Sequence, residues 1–178
     1  LVPLLLARLG AASGSADPAE AELLAEGRLA LCEVLSRSRA RFRPPHIGEA
    51  LVQWLLRALA GARAAAGQGA VGGTEEVAVL LKCIEKCAQL HAVPYQHGPQ
   101  VGLWLASPEG AVRGGAMTAL AAIADAAPVG TDPPWLGEAA DLALQDLGLP
   151  REKCRFEDAP PMQLLAACVG RAGAAPQA

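Results

Sequence analysis

The sequence predicts an all-α fold, and three observations support this prediction. Hydrophobic residues make up 52% of the 178 positions, whereas aromatic residues make up only 3%. Alanine and leucine, the strongest helix formers, supply much of that content, and β-branched residues form only short runs. Helix-start signals, each an N-cap residue or a proline, recur along the chain. This length fits one domain, residues 1–178.

The first predicted helices lie in the N-terminal third of the chain. A short apolar segment opens the sequence, and the capping box DPAE at residues 17–20 then starts a helix that ends near Ser38. The two prolines at 44–45 open the next helix, which continues through Leu59. Five glycines fall within residues 61–73, so this stretch is predicted to be a flexible loop.

The next two helices are predicted between this loop and residue 106. Thr74 opens the first of them, because Glu75 and Glu76 favour the positive end of the helix dipole. That helix ends near His91, and a shorter one spans about residues 99–106.

Three further helices are predicted in the C-terminal part. Ser107 with Pro108 starts one, which continues to about residue 125. The segment Asp-Pro-Pro at residues 132–134 starts a helix ending near residue 148, and Pro-Pro at 160–161 starts the last, ending near residue 170. The tail, residues 171–178, is expected to fray. With the N-terminal segment this makes about eight helices.

The stretch SPEGAVRGGAMTALAAIAD, residues 107–125, carries the most informative pattern in the chain. Its apolar residues recur at three- and four-residue steps and so share one helix face; they are Val112, Ala116, Ala119, Leu120 and Ile123. Alanine and glycine fill the positions between them, so another helix can approach closely. A polar turn, the pair Val112-Arg113 and then spaced alanine and leucine resemble the second helix of a HEAT repeat.

This resemblance implies a HEAT- or armadillo-like α-solenoid of stacked antiparallel helical hairpins. Short connectors between consecutive helices favour the same arrangement. Because the sequence contains no regular internal repeat, an irregular helical bundle is the alternative fold. The chain begins at Leu1 within an apolar pattern, so we expect it to be part of a longer protein.

Charge and cysteine content indicate which partners and which cellular compartment the sequence favours. The net charge of −3 and the pI of about 5.6 give no global attraction to nucleic acid or to an anionic membrane. No uninterrupted apolar stretch has the roughly 18 residues that a membrane span needs. Most of the five cysteines lie in apolar helical surroundings, which predicts reduced thiols and an intracellular, cytoplasmic protein.

Two cysteines and two histidines of the sequence have the spacing of metal ligands. These candidate residues are Cys83, Cys87, His91 and His97. Four-residue steps place the first three on one stripe of a helix, as metal ligands require. The same stripe carries Leu80 and Ile84, which indicates that the cysteines instead belong to the core. We therefore expect no metal at this cluster.

A glycine-rich segment, GQGAVGGT at residues 67–74, nearly matches a phosphate-binding P-loop. However, Gly73 stands where a P-loop has the lysine that reaches the terminal phosphates. The preceding segment is also a helix former and not a strand. We therefore expect no nucleotide and no other cofactor.

The run SRSRARFR provides the only concentrated basic segment. Its arginines, together with the arginine of the HEAT-like helix, are the candidate partner-binding residues: Arg37, Arg39, Arg41, Arg43 and Arg113. They suit an anionic partner. Alternatively, the run at 37–43 offsets a helix dipole and solvates a turn before Pro44. Three tryptophans beside leucines are expected to pack in the core: Trp54, Trp104 and Trp135.

Together these patterns predict a non-catalytic scaffold that binds a partner protein or anchors a larger assembly. The histidines and carboxylates are scattered and form no recognisable catalytic motif, and no small-molecule substrate is evident. The first alternative is an RNA-binding helical-repeat protein, which requires a continuous basic stripe on the folded surface. The second is an accessory helical domain of a larger enzyme, which requires a catalytic motif elsewhere in that protein.

Overall fold

A computed structural model describes Ala30 and residues 45–67, 74–91, 93–128, 131–147 and 159–172. Every regular element in these ranges is helical, so the all-α prediction is confirmed. The α-helices are α1 (Pro45–Gly67), α2 (Thr74–His91), α3 (Gly98–Gly102), α4 (Gly110–Ala126), α5 (Leu136–Leu147) and α6 (Pro160–Ala172). A 3₁₀ helix, Tyr95–His97, precedes α3. The predicted helices before residue 40 lie outside the described residues, apart from Ala30, which is helical.

Helix α4 lies at the centre of this part of the chain. It packs along α2 on one side and along α6 on the other, and these are the two most extensive helix pairs. Helix α1 packs on α2, α3 packs on α4, and α5 packs on α6. Residues at or beside α1, α3 and α5 line one groove, so these three helices lie next to one another.

Glycines on α4 allow its two neighbours to approach closely. A Cβ atom on Gly114 would lie 3.2 Å from Cγ of Pro160, at the start of α6. A Cβ on Gly115 would lie 3.4 Å from Cβ of Leu81 on α2. The close approach predicted from the small residues of this segment is therefore confirmed.

The core is apolar throughout the described residues, where no polar or charged side chain is buried. Leu55 of α1, Leu81 of α2, Leu120 of α4 and Leu164 of α6 are all fully enclosed. Burying each such leucine contributes about 1.5–3 kcal/mol. A helix as short as α3 is not stable in isolation, so the buried side chain of Val101 holds it in place. None of the described helices combines the length and apolar content that crossing a membrane requires.

Helix α1 is longer than the sequence predicts. It continues to Gly67, so residues 61–67 are helical, and the prediction of a loop is wrong for them. Ala58 and Ala62 pack against the core, and three alanines follow Arg63. This packing and the high helix propensity of alanine offset the roughly 1 kcal/mol that Gly61 costs inside a helix. The remainder of the predicted loop, residues 68–73, lies outside the described residues.

Helix α4 begins at Gly110, two residues after Pro108, which was predicted to be its first residue. The hydroxyl of Ser107 accepts a hydrogen bond from the backbone N–H of Glu109 at 3.3 Å, so it stabilises a turn instead of capping the helix. Nη1 of Arg113 donates to the carbonyl oxygens of Ser107 and Pro108 at 2.9 and 2.8 Å. The carbonyl groups of the predicted first turn therefore accept hydrogen bonds from a side chain.

The other helix limits follow the sequence with smaller differences. Thr74, His91 and Pro160 begin or end helices as predicted. Helix α3 ends at Gly102, and residues 103–106 continue as turns, in which the N–H groups of Trp104 and Leu105 donate to carbonyl oxygens three positions earlier. Helix α5 begins at Leu136, after a turn over the prolines at 133–134 that was predicted to be helical.

Candidate protein-binding surface

A groove runs between α1 and the segment around α3, with a volume of about 590 Å³. One side is a stripe of α1 residues three or four positions apart: Gln53, Leu56, Arg57, Ala60 and Arg63. The other side is formed by Gln100, Leu103 and Trp104. We call this the α1–α3 groove. Its stripe on α1 covers about 15 Å at 1.5 Å per residue.

The floor of the α1–α3 groove belongs to the hydrophobic core. Leu56 and Leu59, which line it, are buried, and the half-buried ring of Trp104 packs against the same core. Trp54 is buried beneath the surface, as predicted for the tryptophans. A groove whose floor is fixed by core packing is already formed before a partner arrives.

The charge of the α1–α3 groove is positive. Among the described residues, Arg57 and Arg63 are the only charged ones that line it, and both are exposed. Within the described part of the chain, neither guanidinium group has an ion-pair partner. The groove therefore offers two positive charges at its edge and apolar side chains at its floor.

A second groove, the α3–α5 groove, has a volume of about 730 Å³ and lies on the other side of α3. Tyr95 and Trp135 are among the residues that line it, and Arg63 and Leu103 line both grooves. Leu103 is 54% exposed, which is unusual for a large apolar side chain in this structure. It therefore forms an apolar ridge between the two grooves.

Trp135 fixes one wall of the α3–α5 groove. Its Nε1–H donates a hydrogen bond to the carbonyl oxygen of Tyr95 at 2.8 Å. Its ring also covers Gly98, where an added Cβ atom would overlap the indole. The tryptophan thus joins the start of α5 to the start of α3. The prediction of core packing holds for its ring, whereas its hydrogen bond was not foreseen.

Of the predicted contact residues, the structure describes only Arg113. The arginine run, Arg37 to Arg43, lies outside the described residues. Arg113 lines neither groove; its Nε donates to Oδ1 of Asp146 at 2.8 Å, and its side chain is 19% exposed. The structure therefore gives Arg113 an intramolecular role, and its contact with a partner stays a prediction.

The residues with metal-ligand spacing do not come together in the described region. Cys83 and Cys87 are buried in the apolar core, as predicted for structural cysteines. His97 lies in the 3₁₀ helix, where its Nε2 is 3.4 Å from Nε2 of Gln53. The side chain of His91 is outside the described residues. No group of three histidine, cysteine or acidic side chains within the described ranges has the arrangement of a metal site.

The two grooves combine apolar side chains with guanidinium and amide groups. Their lining in the described residues contains one carboxylate, Glu138, and neither histidine nor cysteine. Grooves of this composition between helices accept the apolar side chains of a peptide and orient it through polar contacts. No protein-family model, no curated protein and no solved structure matches this chain.

Proposed function

We propose that this chain is a non-catalytic scaffold, an α-solenoid similar to HEAT and armadillo repeats, that binds a partner protein or anchors a larger assembly. The order of helix contacts supports the solenoid. Consecutive helices pack in the pairs α1/α2, α3/α4 and α5/α6, and the second helices of these pairs form a row. In a helical-repeat array each hairpin contacts the next in this manner. The two helices predicted before α1 would supply a fourth pair.

The surface formed by α1, α3 and α5 is the observation that supports protein binding. Two grooves lie side by side on it, with the exposed Leu103 between them. Contiguous apolar patches at a protein surface mark interaction sites, and Leu103 joins the apolar residues of the two grooves into one such patch. Because core packing holds the groove walls, a partner binds without a large cost for ordering this surface.

The proposal includes an intracellular, cytoplasmic setting. The cysteines of the described helices are Cys83, Cys87 and Cys168, and their apolar surroundings suit the reduced thiols that a reducing compartment maintains. Their burial, complete for the first two and partial for the third, suits a structural role.

An RNA-binding protein is the alternative that one observation favours. Trp104 beside Arg57 and Arg63 resembles the combination of aromatic ring and positive charge that binds single-stranded RNA. The net charge of −3 and the apolar floor of the groove favour a protein partner instead. An accessory role in a larger enzyme requires a catalytic motif outside these residues.

The test compares two matched substitutions of exposed leucines. Leu103→Glu places a charge between the grooves, whereas Leu144→Glu makes the same change at a leucine of α5 that is 56% exposed and lines neither groove. Both variants and the wild type are purified by affinity from their native cells, with and without RNase. Co-purifying proteins are then quantified by mass spectrometry, and urea unfolding verifies that both variants fold.

We expect a stoichiometric partner that the wild type and Leu144→Glu retain, that Leu103→Glu loses, and that RNase leaves in place. Equal recovery with Leu103→Glu and with the wild type would contradict binding at this surface. Loss of the partners on RNase treatment would contradict the protein scaffold and support the RNA-binding alternative.

A further inference from the structure

We propose that the α1–α3 groove binds an acidic amphipathic helix of a partner protein. This inference rests on the proposed function and specifies the chemistry of the segment that is bound. Apolar side chains of that helix would fill the groove, and two of its carboxylates would pair with Arg57 and Arg63.

The shape of the groove favours a helix over an extended peptide. The backbone N–H and C=O groups of an extended segment need partners when they are buried, whereas a helix satisfies its own. Apart from the two arginines, the polar side chains that line the groove are Gln53 and Gln100. These two amides are too few to pair the backbone of an extended segment, and the described elements on either side are helices, which offer no strand edge.

The charge of the groove favours acidic residues in that helix. Arg57 and Arg63 lie at the two edges of the α1 face that lines the groove, six residues apart and therefore about 9 Å apart along the helix axis at 1.5 Å per residue. Carboxylates at positions i and i+7 of a helix lying along α1 are separated by about 10 Å, a similar distance. Because the chain as a whole carries a charge of −3, attraction of an acidic segment must come from this local pair and not from the net charge.

Leu103 and Trp104 supply the apolar contacts opposite the arginines. Leu103 is 54% exposed, so a partner that covers it removes apolar surface from water. The ring of Trp104 packs on the core and forms a rigid wall. Aromatic and arginine side chains in such positions supply much of the binding energy at protein interfaces.

The experiment uses two synthetic helical peptides of about 15 residues, near the length at which a helix becomes marginally stable in water. Both carry the same leucine stripe; one has glutamate flanking it at i and i+7, and the other has lysine at these positions. Fluorescence anisotropy measures their binding to the wild type and to the double variant Arg57→Glu/Arg63→Glu. The double variant Lys82→Glu/Lys86→Glu on α2 is the control, because it makes the same change in net charge outside both grooves.

We expect the wild type and the Lys82/Lys86 control to bind the glutamate peptide at least roughly fivefold more tightly than the lysine peptide. The Arg57/Arg63 variant should reverse this preference. Equal binding of the two peptides, no binding of either, or a reversal by the control variant would overturn the inference. The inference would also be overturned if the wild type bound an oligouridylate of about 12 nucleotides more tightly than the glutamate peptide and the Arg57/Arg63 variant lost this binding. That result would identify an RNA site.

The capture experiment distinguishes a failure of the acidic-helix inference from a failure of the proposed function. If Arg57→Glu/Arg63→Glu captures the same partner as the wild type while Leu103→Glu does not, the scaffold proposal stands and the acidic-helix inference is overturned. If Leu103→Glu also captures that partner, the binding surface itself is wrong.

Discussion

The indole ring of Trp135 covers Gly98 so closely that no other residue fits at that position. An added Cβ atom would overlap three atoms of the ring, although the two residues are far apart in the sequence. The hydrogen bond from Trp135 to the carbonyl of Tyr95 fixes the ring in this place. Gly98 is therefore required by a tertiary contact, and this contact holds the wall of the α3–α5 groove.

Gly98→Ala should destabilise the protein, because either the indole or the start of α3 must move. Overpacking of this kind costs about 1–3 kcal/mol. Urea unfolding followed by circular dichroism measures the change in the free energy of unfolding. Gly61→Ala is the matched control, since no atom lies within 4 Å of its added Cβ and Gly61 is inside α1. This control should gain about 0.5–1 kcal/mol from the lower entropy of the unfolded chain. Equal effects of the two alanines would show that the Trp135 contact is not tight.

Arg113 and Asp146 should be energetically coupled, because their ion pair joins α4 to the end of α5 and both side chains are partly buried. Arg113→Ala should cost about 1–3 kcal/mol, since it leaves the carboxylate without this partner and removes two hydrogen bonds to backbone carbonyls. A double-mutant cycle with Asp146→Ala separates the ion pair from the carbonyl bonds. We expect Asp146→Ala alone to cost less than Arg113→Ala. Strictly additive losses would mean that the ion pair contributes nothing to stability.

Gly115 should tolerate alanine but not leucine. A Cβ at this position makes ordinary contact with Leu81, so Gly115→Ala should stabilise α4 by up to about 1 kcal/mol. Gly115→Leu must push α2 away from α4 and should lower stability by about 1–3 kcal/mol. Thermal unfolding of both variants provides the measurement. A harmless leucine would show that α2 and α4 do not pack as closely as described.

Alkylation of Cys168 should require a higher pH in the folded chain than in the unfolded chain. Partial burial raises the pKa of its thiol, so the folded protein retains the proton to higher pH. The resulting contribution to stability is complete below the pKa of the unfolded thiol and is lost as the pH rises through the folded-state pKa. Iodoacetamide labelling across a pH series, read by peptide mass spectrometry with and without urea, measures both midpoints. Identical midpoints would contradict the effect of burial.

The sequence by itself determined the helical class and those helix limits that depend on neighbouring residues. Thr74 with its two following glutamates and the proline pair at 160–161 act within one helical turn, so their signals predict the starts of α2 and α6. The apolar stripe of residues 107–125 likewise identified one buried face of α4, because a helix face depends only on spacing. It did not identify Met117, Ala121, Ala122 and Ala124, which are buried as well because α4 packs on both α2 and α6.

Tertiary structure decided the remaining features, because they depend on residues that are distant in the chain. The start of α4 lies at Gly110 since Arg113, which also bonds Asp146, takes the carbonyl groups of Ser107 and Pro108. The grooves exist only because residues of α1, α3 and α5, which are distant in the chain, come together. Arg57 and Arg63 are separated from Leu103 by about 40 residues, so no local pattern could identify the surface that they form together.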